Sequence, residues 1–356
     1  MSNKDTIKIV FIGDIYYDIH DVVIDQKIKS ITNDADFVVA NLEAPLTDSI
    51  YSGNWKELQL RNSPHGVEVL SDLSVNIVTL ANNHICDRGL FGLTDTLKIL
   101  DANNIKYIGA GVNIGDAKKP YLINTIGLKL CFLNYTFNKI GSIPAGTKQY
   151  GTSIFHSTDD IEYIRNLNNK GYQVIVIMHW DMTRYDYPLP STVELGKSII
   201  EAGATLVIGH HPHVIQGYIY YENKAIVNSI GNFVFSNTSD GKTSFILSSD
   251  EQHGMMAEVE LSNKLQSKIT FHYTTYKIDS NIIVELDEYA KRSSKLEKLS
   301  KPLSYKYYTL YYRIYAIKRL LIRFLLIVRP SNINKIRLAH LLGLYKSIKN
   351  IIYGNR

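Results

Sequence analysis

Cysteine is nearly absent from these 356 residues: Cys86 and Cys131 are the whole complement. Two thiols cannot make a disulfide scaffold, and a reducing compartment is the simpler setting. Long apolar runs are missing too. Nothing approaches the roughly 18 uninterrupted apolar residues of a membrane span. The opening MSNKDTIKIVFIGD has neither the longer apolar stretch nor the small-residue cleavage site of a secretory signal, so a cytoplasmic protein is expected. No glycine fingerprint for a nucleotide occurs in the strand-to-helix setting it needs. Internal repeats and low-complexity tracts are absent as well.

Acid is scarce at one end only. Residues 291–356 hold 16 Lys or Arg against the single acid Glu297, a local +15 within a chain total of +5, so residues 1–290 carry −10. That asymmetry bears on partners rather than on fold. The pattern also changes, becoming helical beyond about residue 285. The expected division is therefore a domain over 1–285 and a basic, aromatic-rich helical extension over 286–356.

What the sequence does contain is a set of short β-branched runs with polar residues at their C-terminal ends. Residues 7–12 run into Asp14, 36–42 into Glu43, and 75–80 into Asn82-Asn83-His84; 174–178 end at His179, and 205–208 at Gly209-His210-His211-Pro212-His213. Helical periodicity lies between several of them, at 90–102, 158–169 and 191–202. Near-continuous apolar strands alternating with helices predict an α/β fold whose sheet faces are covered. Ligands of such folds gather beyond the C-terminal strand ends, where these polar groups stand. Residues 224–235 predict two further short strands, and 243–248, 255–262 and 267–278 alternate as strands do.

Taken singly, each polar residue has an ordinary explanation: a cap, a turn or a solvated carboxylate. Three imidazoles within four residues after a buried strand do not. In an extended backbone His211 and His213 share one side, leaving His210 facing away to orient a ligand or to contact substrate. Neutral imidazole suits Zn, Mn or Fe. A dinuclear centre also needs a bridging oxygen donor, and Glu43 is the best candidate. Asp14 would anchor one ion, Asn83 would offer a side-chain carbonyl to the other, and His179 completes the mixed oxygen and nitrogen set. Two divalent cations about 4 Å apart can activate water and orient a phosphoryl oxygen. His84 would then stabilise the transition state or protonate the leaving group, which makes Glu43 and His84 the catalytic candidates.

Arg88 and Arg184 follow the asparagine-histidine and histidine-tryptophan segments. Each would bring a guanidinium to an anionic substrate; the alternative for both is a surface arginine. Trp180 reads as packing that fixes His179.

These same residues resemble the capsule synthesis CapA family, also called the poly-gamma-glutamate biosynthesis family, within the calcineurin-like metallophosphoesterase superfamily. The matching pieces are FIGD at 11–14, NLEAPLTD at 41–48, ANNHICDRGLFGLTDTLKIL at 81–100, GAG at 109–111, HW at 179–180, AGATLVIGHHPHVIQG at 202–217 and NSIGNFVFS at 228–236. The resemblance implies a four-layered α/β/β/α metallophosphoesterase-like sandwich with the basic helices appended. It implies Asp14, Glu43 and His213 around a first metal, and Glu43, Asn83, His179 and His211 around a second, with His84 as proton donor. The wider superfamily carries a histidine two residues after the first aspartate, where this chain has Tyr16; Tyr16 or Asp18 would have to approach the metal in its place. The implied activity is a divalent-metal-dependent phosphoesterase acting on an anionic polymer or a phosphorylated small molecule. The alternatives are a non-hydrolytic metal-binding polymer assembly protein and a metal-assisted hydrolase or transferase acting on a carboxyl or amide linkage.

The extension reads LSYKYYTLYYRIYAIKRLLIRFLLIV over 303–328, stopped by Arg329-Pro330, with a second helical run over 334–353. Basic residues recur too often for a span. Peripheral contact with an anionic membrane at its inner face, or with a partner protein, is the expectation for 303–356. Packing on the domain is the alternative, and nucleic acid is not favoured, because no nucleic-acid motif is present.

Overall fold

In the computed structural model of this chain, the described residues are 6–18, 21–51, 58–125, 127–137, 141–239, 244–262, 268–278, 281–287, 291–327 and 338–353. Among them the larger sheet has nine strands. Their spatial order is Val22–Ile24, Ile282–Leu286, Lys268–Ile278, His253–Ser262, Thr6–Tyr16, Phe37–Leu42, Ile77–Thr79 and Lys106–Ile108, with Asn232–Phe235 pairing alongside the end of Thr6–Tyr16. A six-stranded sheet runs Tyr218–Tyr221, Lys224–Val227, Ala204–His210, Gln173–His179, Leu128–Thr136 and Tyr121–Thr125.

The strand Thr6–Tyr16 shows how sequence sets the layers. Successive side chains of a strand alternate between faces. Ile7, Ile9 and Phe11 point toward the smaller sheet and pack in one core with its Ile175, Ile177, Leu206 and Ile208. Val10, Ile12 and Ile15 take the other face, in a core shared with Ile28, Leu70, Leu93 and Leu100. Those four belong to the helices Gln26–Asn33, Val67–Asp72 and Gly89–Ala102. The smaller sheet's outer face is covered by Asp159–Asn169 and Pro190–Glu201, which bury Ile164, Leu167, Val193, Ile199 and Ile200. The order is thus helices, sheet, sheet, helices, the four-layered α/β/β/α arrangement.

Within the larger sheet Thr6–Tyr16, Phe37–Leu42, Ile77–Thr79 and Lys106–Ile108 are mutually parallel. Within the smaller one Leu128–Thr136, Gln173–His179, Ala204–His210 and Lys224–Val227 are parallel too. The C-terminal ends that carry the polar residues come from both sets. Register slips around Asp14 on both sides of its strand. Gly13 permits that bulge: a Cβ there would lie 2.2 Å from the Gly231 carbonyl oxygen. A bulge re-aims the residue beside it, and here that residue is Asp14.

The predicted strand over 243–248 contracts to Ser244–Phe245, paired with Thr238–Ser239. The strand Leu128–Thr136, next to the edge of the smaller sheet, is not among the predicted elements. By contacts the chain divides into units 1–300 and 301–356, so the basic helix Lys291–Ser300, grouped with the extension in the sequence, belongs to the first unit. The second unit holds the helices Tyr308–Ile327 and Leu338–Tyr353, which pack on each other. Arg329-Pro330 lies outside the described residues. Among the described residues no helix is long and apolar enough to cross a membrane.

Candidate metal centre

Each expected ligand sits where a parallel strand ends. Asp14 is near the end of Thr6–Tyr16, Glu43 directly follows Phe37–Leu42, and Asn83 follows Ile77–Thr79 by a short turn. His179 closes its strand, and His211 and His213 follow Ala204–His210. All of them are buried.

Two groups of three donors converge, Asp14 with Glu43 and His213, and Glu43 with His179 and His211; within each group the ligand atoms lie within 4.8 Å of one another. Glu43 is common to both. In the second group His211 Nδ1 is 3.1 Å from His179 Nε2, which is 2.8 Å from Asn83 Oδ1 and 3.7 Å from Glu43 Oε1. In the first, His213 Nε2 is 3.5 Å from Glu43 Oε1 and its Nδ1 is 3.4 Å from Asp14 Oδ2. Metal–nitrogen and metal–oxygen bonds near 2.0–2.2 Å set neighbouring ligand atoms roughly 3.0–3.5 Å apart. The spacing within the second group and the mixed carboxylate, carbonyl and imidazole chemistry of both groups therefore fit divalent cations.

Electrostatics point the same way. Burial alone would push the Asp14 carboxyl up, but hydrogen bonds from His210 and His213 outweigh it and hold Asp14 well below the usual carboxylate range. Burial pushes the His179 imidazole down, and His211 beside it adds to the effect, so the ring is neutral as a ligand must be. His213 goes the other way: burial lowers it, yet Glu43 and Asp14 carry it up to about 9.

The backbone of the histidine loop differs from expectation. His211 and His213 have φ of 96° and 58°, left-handed values that residues with a Cβ adopt at a cost. The run is not extended, and the two rings converge through turns. His210 consequently does not face away: its Nδ1 donates to Asp14 Oδ1 at 2.8 Å, and it orients that ligand.

His84 stands beside Asn83, partly exposed, with Nδ1 2.6 Å from Asp87 Oδ2. Asp87 is fully buried and also accepts from the Leu60 amide. A carboxylate on Nδ1 fixes the ring's orientation. Arg88 is half-buried and donates through Nη1 and Nη2 to the carbonyls of Tyr51 and Gln59. Arg184 donates from Nε to Glu251 and from Nη2 to the Ile246 carbonyl, and lies over the Phe245 ring, whose edge also meets His213. Its guanidinium thus braces the segment beside His213. Trp180 packs fully buried and donates from Nε1 to the Asn228 carbonyl.

Tyr16 closes its strand. Its ring is buried against Phe235, it hydrogen-bonds Thr238, and burial pushes the phenol up to about 12. Asp18 stands near Arg61 and belongs to neither ligand group.

Sequence reasoning missed the asparagines that hold the ligands. Asn41 Nδ2 donates to Asp14 Oδ1 at 2.8 Å and to Glu43 Oε2 at 3.3 Å. Asn232 Oδ1 is 2.9 Å from His213 Nδ1. Asn82 donates to the Leu42 carbonyl and accepts from the amides of His84 and Ile85. All three lie inside the motifs NLEAPLTD, ANNH and NSIGNFVFS, so the signal was present. Partners of this kind orient metal ligands.

Known proteins resemble this chain. The chain is 30% identical over 215 residues to the PGA biosynthesis protein CapA of Bacillus subtilis, covering 59% of this chain and 56% of that protein. It is 29% identical over 238 residues to the capsule biosynthesis protein CapA of Bacillus anthracis, covering 60% and 58%. The matched regions thus span just over half the length of those relatives. Among solved structures, a 5'-nucleotidase precursor from Thermus thermophilus aligns over 84% of this chain and 59% of its own, at 11% identity and a TM-score of 0.44. The family model described as "Bacterial capsule synthesis protein PGA_cap" matches residues 3–237, which span every proposed ligand, and the chain belongs to that family.

Proposed function

We propose that the domain is a divalent-metal-dependent phosphoesterase-like hydrolase acting in the making of a capsule or other anionic surface polymer. The observation that supports this reading best is Glu43 shared between two buried donor groups, because a bridging carboxylate serves a pair of cations rather than one. When bound, such a pair supplies Lewis-acid polarisation of a phosphoryl oxygen and promotes ionisation of the attacking water. The chain's own residues do the rest. Asn41 and His210 fix the carboxylates, and Asn232 holds the His213 ring. His84, backed by Asp87, delivers a proton to the leaving oxygen.

The test is hydrolysis of phosphodiesters and phosphomonoesters by purified protein after chelation and readdition of Mn, Zn or Fe, beside Glu43→Ala and His211→Ala. Turnover restored by metal and absent from both variants is the expected result. Metal binding without turnover on a panel that includes polymer phosphodiesters would overturn it. That outcome would favour a second reading, a metal-binding protein that handles polymer without cutting it. Tyr16 is the residue that supports the second reading, since a neutral phenol tied to Thr238 leaves the Asp14 group one imidazole short of the superfamily pattern.

A further inference from the structure

The helix Tyr308–Ile327 keeps a row of large apolar side chains out of the fold. Leu310, Ile314, Leu321 and Leu325 are 58%, 61%, 42% and 66% exposed. At 3.6 residues per turn these four fall within about 60° of arc, along roughly 22 Å of helix. Tyr307, 69% exposed just before the helix, extends the row. The opposite side, bearing Tyr308, Tyr312 and Ala316, is buried. Cations flank the exposed row: Lys306 and Arg313 on one side, Lys318 on the other. The second helix, Leu338–Tyr353, repeats the motif, with Tyr345 and Ile352 exposed seven residues apart and Lys346 and Lys349 beside them.

We infer that this face of Tyr308–Ile327 docks onto an anionic lipid surface. Soluble surfaces seldom leave such a row uncovered. An apolar stripe bordered by Lys and Arg matches the boundary between acyl chains and anionic headgroups, with tyrosines at headgroup level. Charge selects this occupant. Residues 291–356 carry 16 cations and one acid, so a second copy of the same face would bring like charge against like, whereas anionic headgroups neutralise it. The helix lies in the interface rather than crossing it, consistent with its recurrent charges and with no described helix meeting the requirements of a span. The inference does not depend on the hydrolase reading, since it concerns where the chain sits rather than what the metal centre does.

The experiment is sedimentation of the full chain with vesicles of phosphatidylcholine alone and of phosphatidylcholine with phosphatidylglycerol. Two variants are run beside it: Leu310→Ser with Leu325→Ser, and Arg313→Gln with Lys318→Gln. All four positions face solvent at least in part, and circular dichroism checks that the helices persist. The expected result is binding to phosphatidylglycerol vesicles only, weakened about tenfold or more by either variant and weakened by salt. No binding of the native chain to anionic vesicles would overturn the inference. So would binding unaffected by the leucine pair, or a concentration-dependent dimer that those leucine changes dissociate.

Discussion

His179 Nε2 and His211 Nδ1 stand 3.1 Å apart in a buried site. Two imidazole nitrogens reach that separation comfortably in two ways, with a proton between them or with a cation accepting both lone pairs. Asn83 Oδ1 lies 2.8 Å from the same His179 nitrogen, so three acceptor-capable atoms converge there with Glu43 close by.

Metal stoichiometry separates the two groups. Glu43→Ala removes the ligand common to both, and elemental analysis is expected to find neither ion retained. His211→Ala removes a ligand of one group only and is expected to keep the other ion. Equal retention of metal by both variants would contradict Glu43 as the bridge.

The asparagines are expected to matter without touching the metal. Asn232→Ala removes the amide oxygen that meets His213 Nδ1 at 2.9 Å, and Asn41→Ala removes one donor from each of the two carboxylates. Each change is expected to weaken metal affinity about 10–100-fold, read by competition with a chromogenic chelator. Unchanged affinity would mean that the ligands are held by packing alone.

His84→Asn is expected to lower turnover by about 10²–10⁴-fold while metal content stays at the native level. Asp87→Asn, which withdraws the carboxylate from His84 Nδ1, is expected to act in the same direction and to cost stability as well, because Asp87 also holds the Leu60 amide. A loss of metal on changing His84 would make it a ligand instead of a proton donor.

The two thiols are expected to be silent. Cys86 and Cys131 are buried, and burial pushes the Cys131 thiol up to about 12; thiolate is the reactive form. An alkylating reagent at neutral pH is expected to label neither in the native protein and both in denaturant, followed by mass spectrometry.

Bound metal should also stabilise the fold. Ions that bind only the native state add about 2.7 kcal/mol at a free concentration 100 times Kd, a rise of several degrees in melting temperature for a domain of this size. A melting point indifferent to chelation would count against occupancy of the site.

Much of this was legible beforehand, for identifiable reasons. Strands that are buried on both faces are apolar throughout, so Thr6–Tyr16, Phe37–Leu42, Gln173–His179 and Ala204–His210 stood out, and their polar C-terminal residues stood out against them. The helices at Gly89–Ala102, Asp159–Asn169 and Pro190–Glu201 showed their periodicity. Leu128–Thr136 ends in no expected ligand, so nothing of that kind marked it out. The turn geometry at His211 and His213 could not be read, since positive φ is rare in residues with a Cβ and neither histidine announces it. Asn41 and Asn232 lay in plain view within the motifs, but which asparagine meets which ligand depends on the bulge at Gly13 and on the pairing of Asn232–Phe235 with the first strand.

The ligands are divided between the two sheets. Asp14, Glu43 and Asn83 come from the larger, and His179, His211 and His213 from the smaller. A chain in which one sheet had slid by a single residue against the other would still be compact and greasy inside, but it would bring no complete set of donors together. If the donors hold metal as proposed, its occupancy would act as a proofreading signal for the assembled sandwich, and a divalent ion titrated during refolding would report the moment at which the two halves come into register.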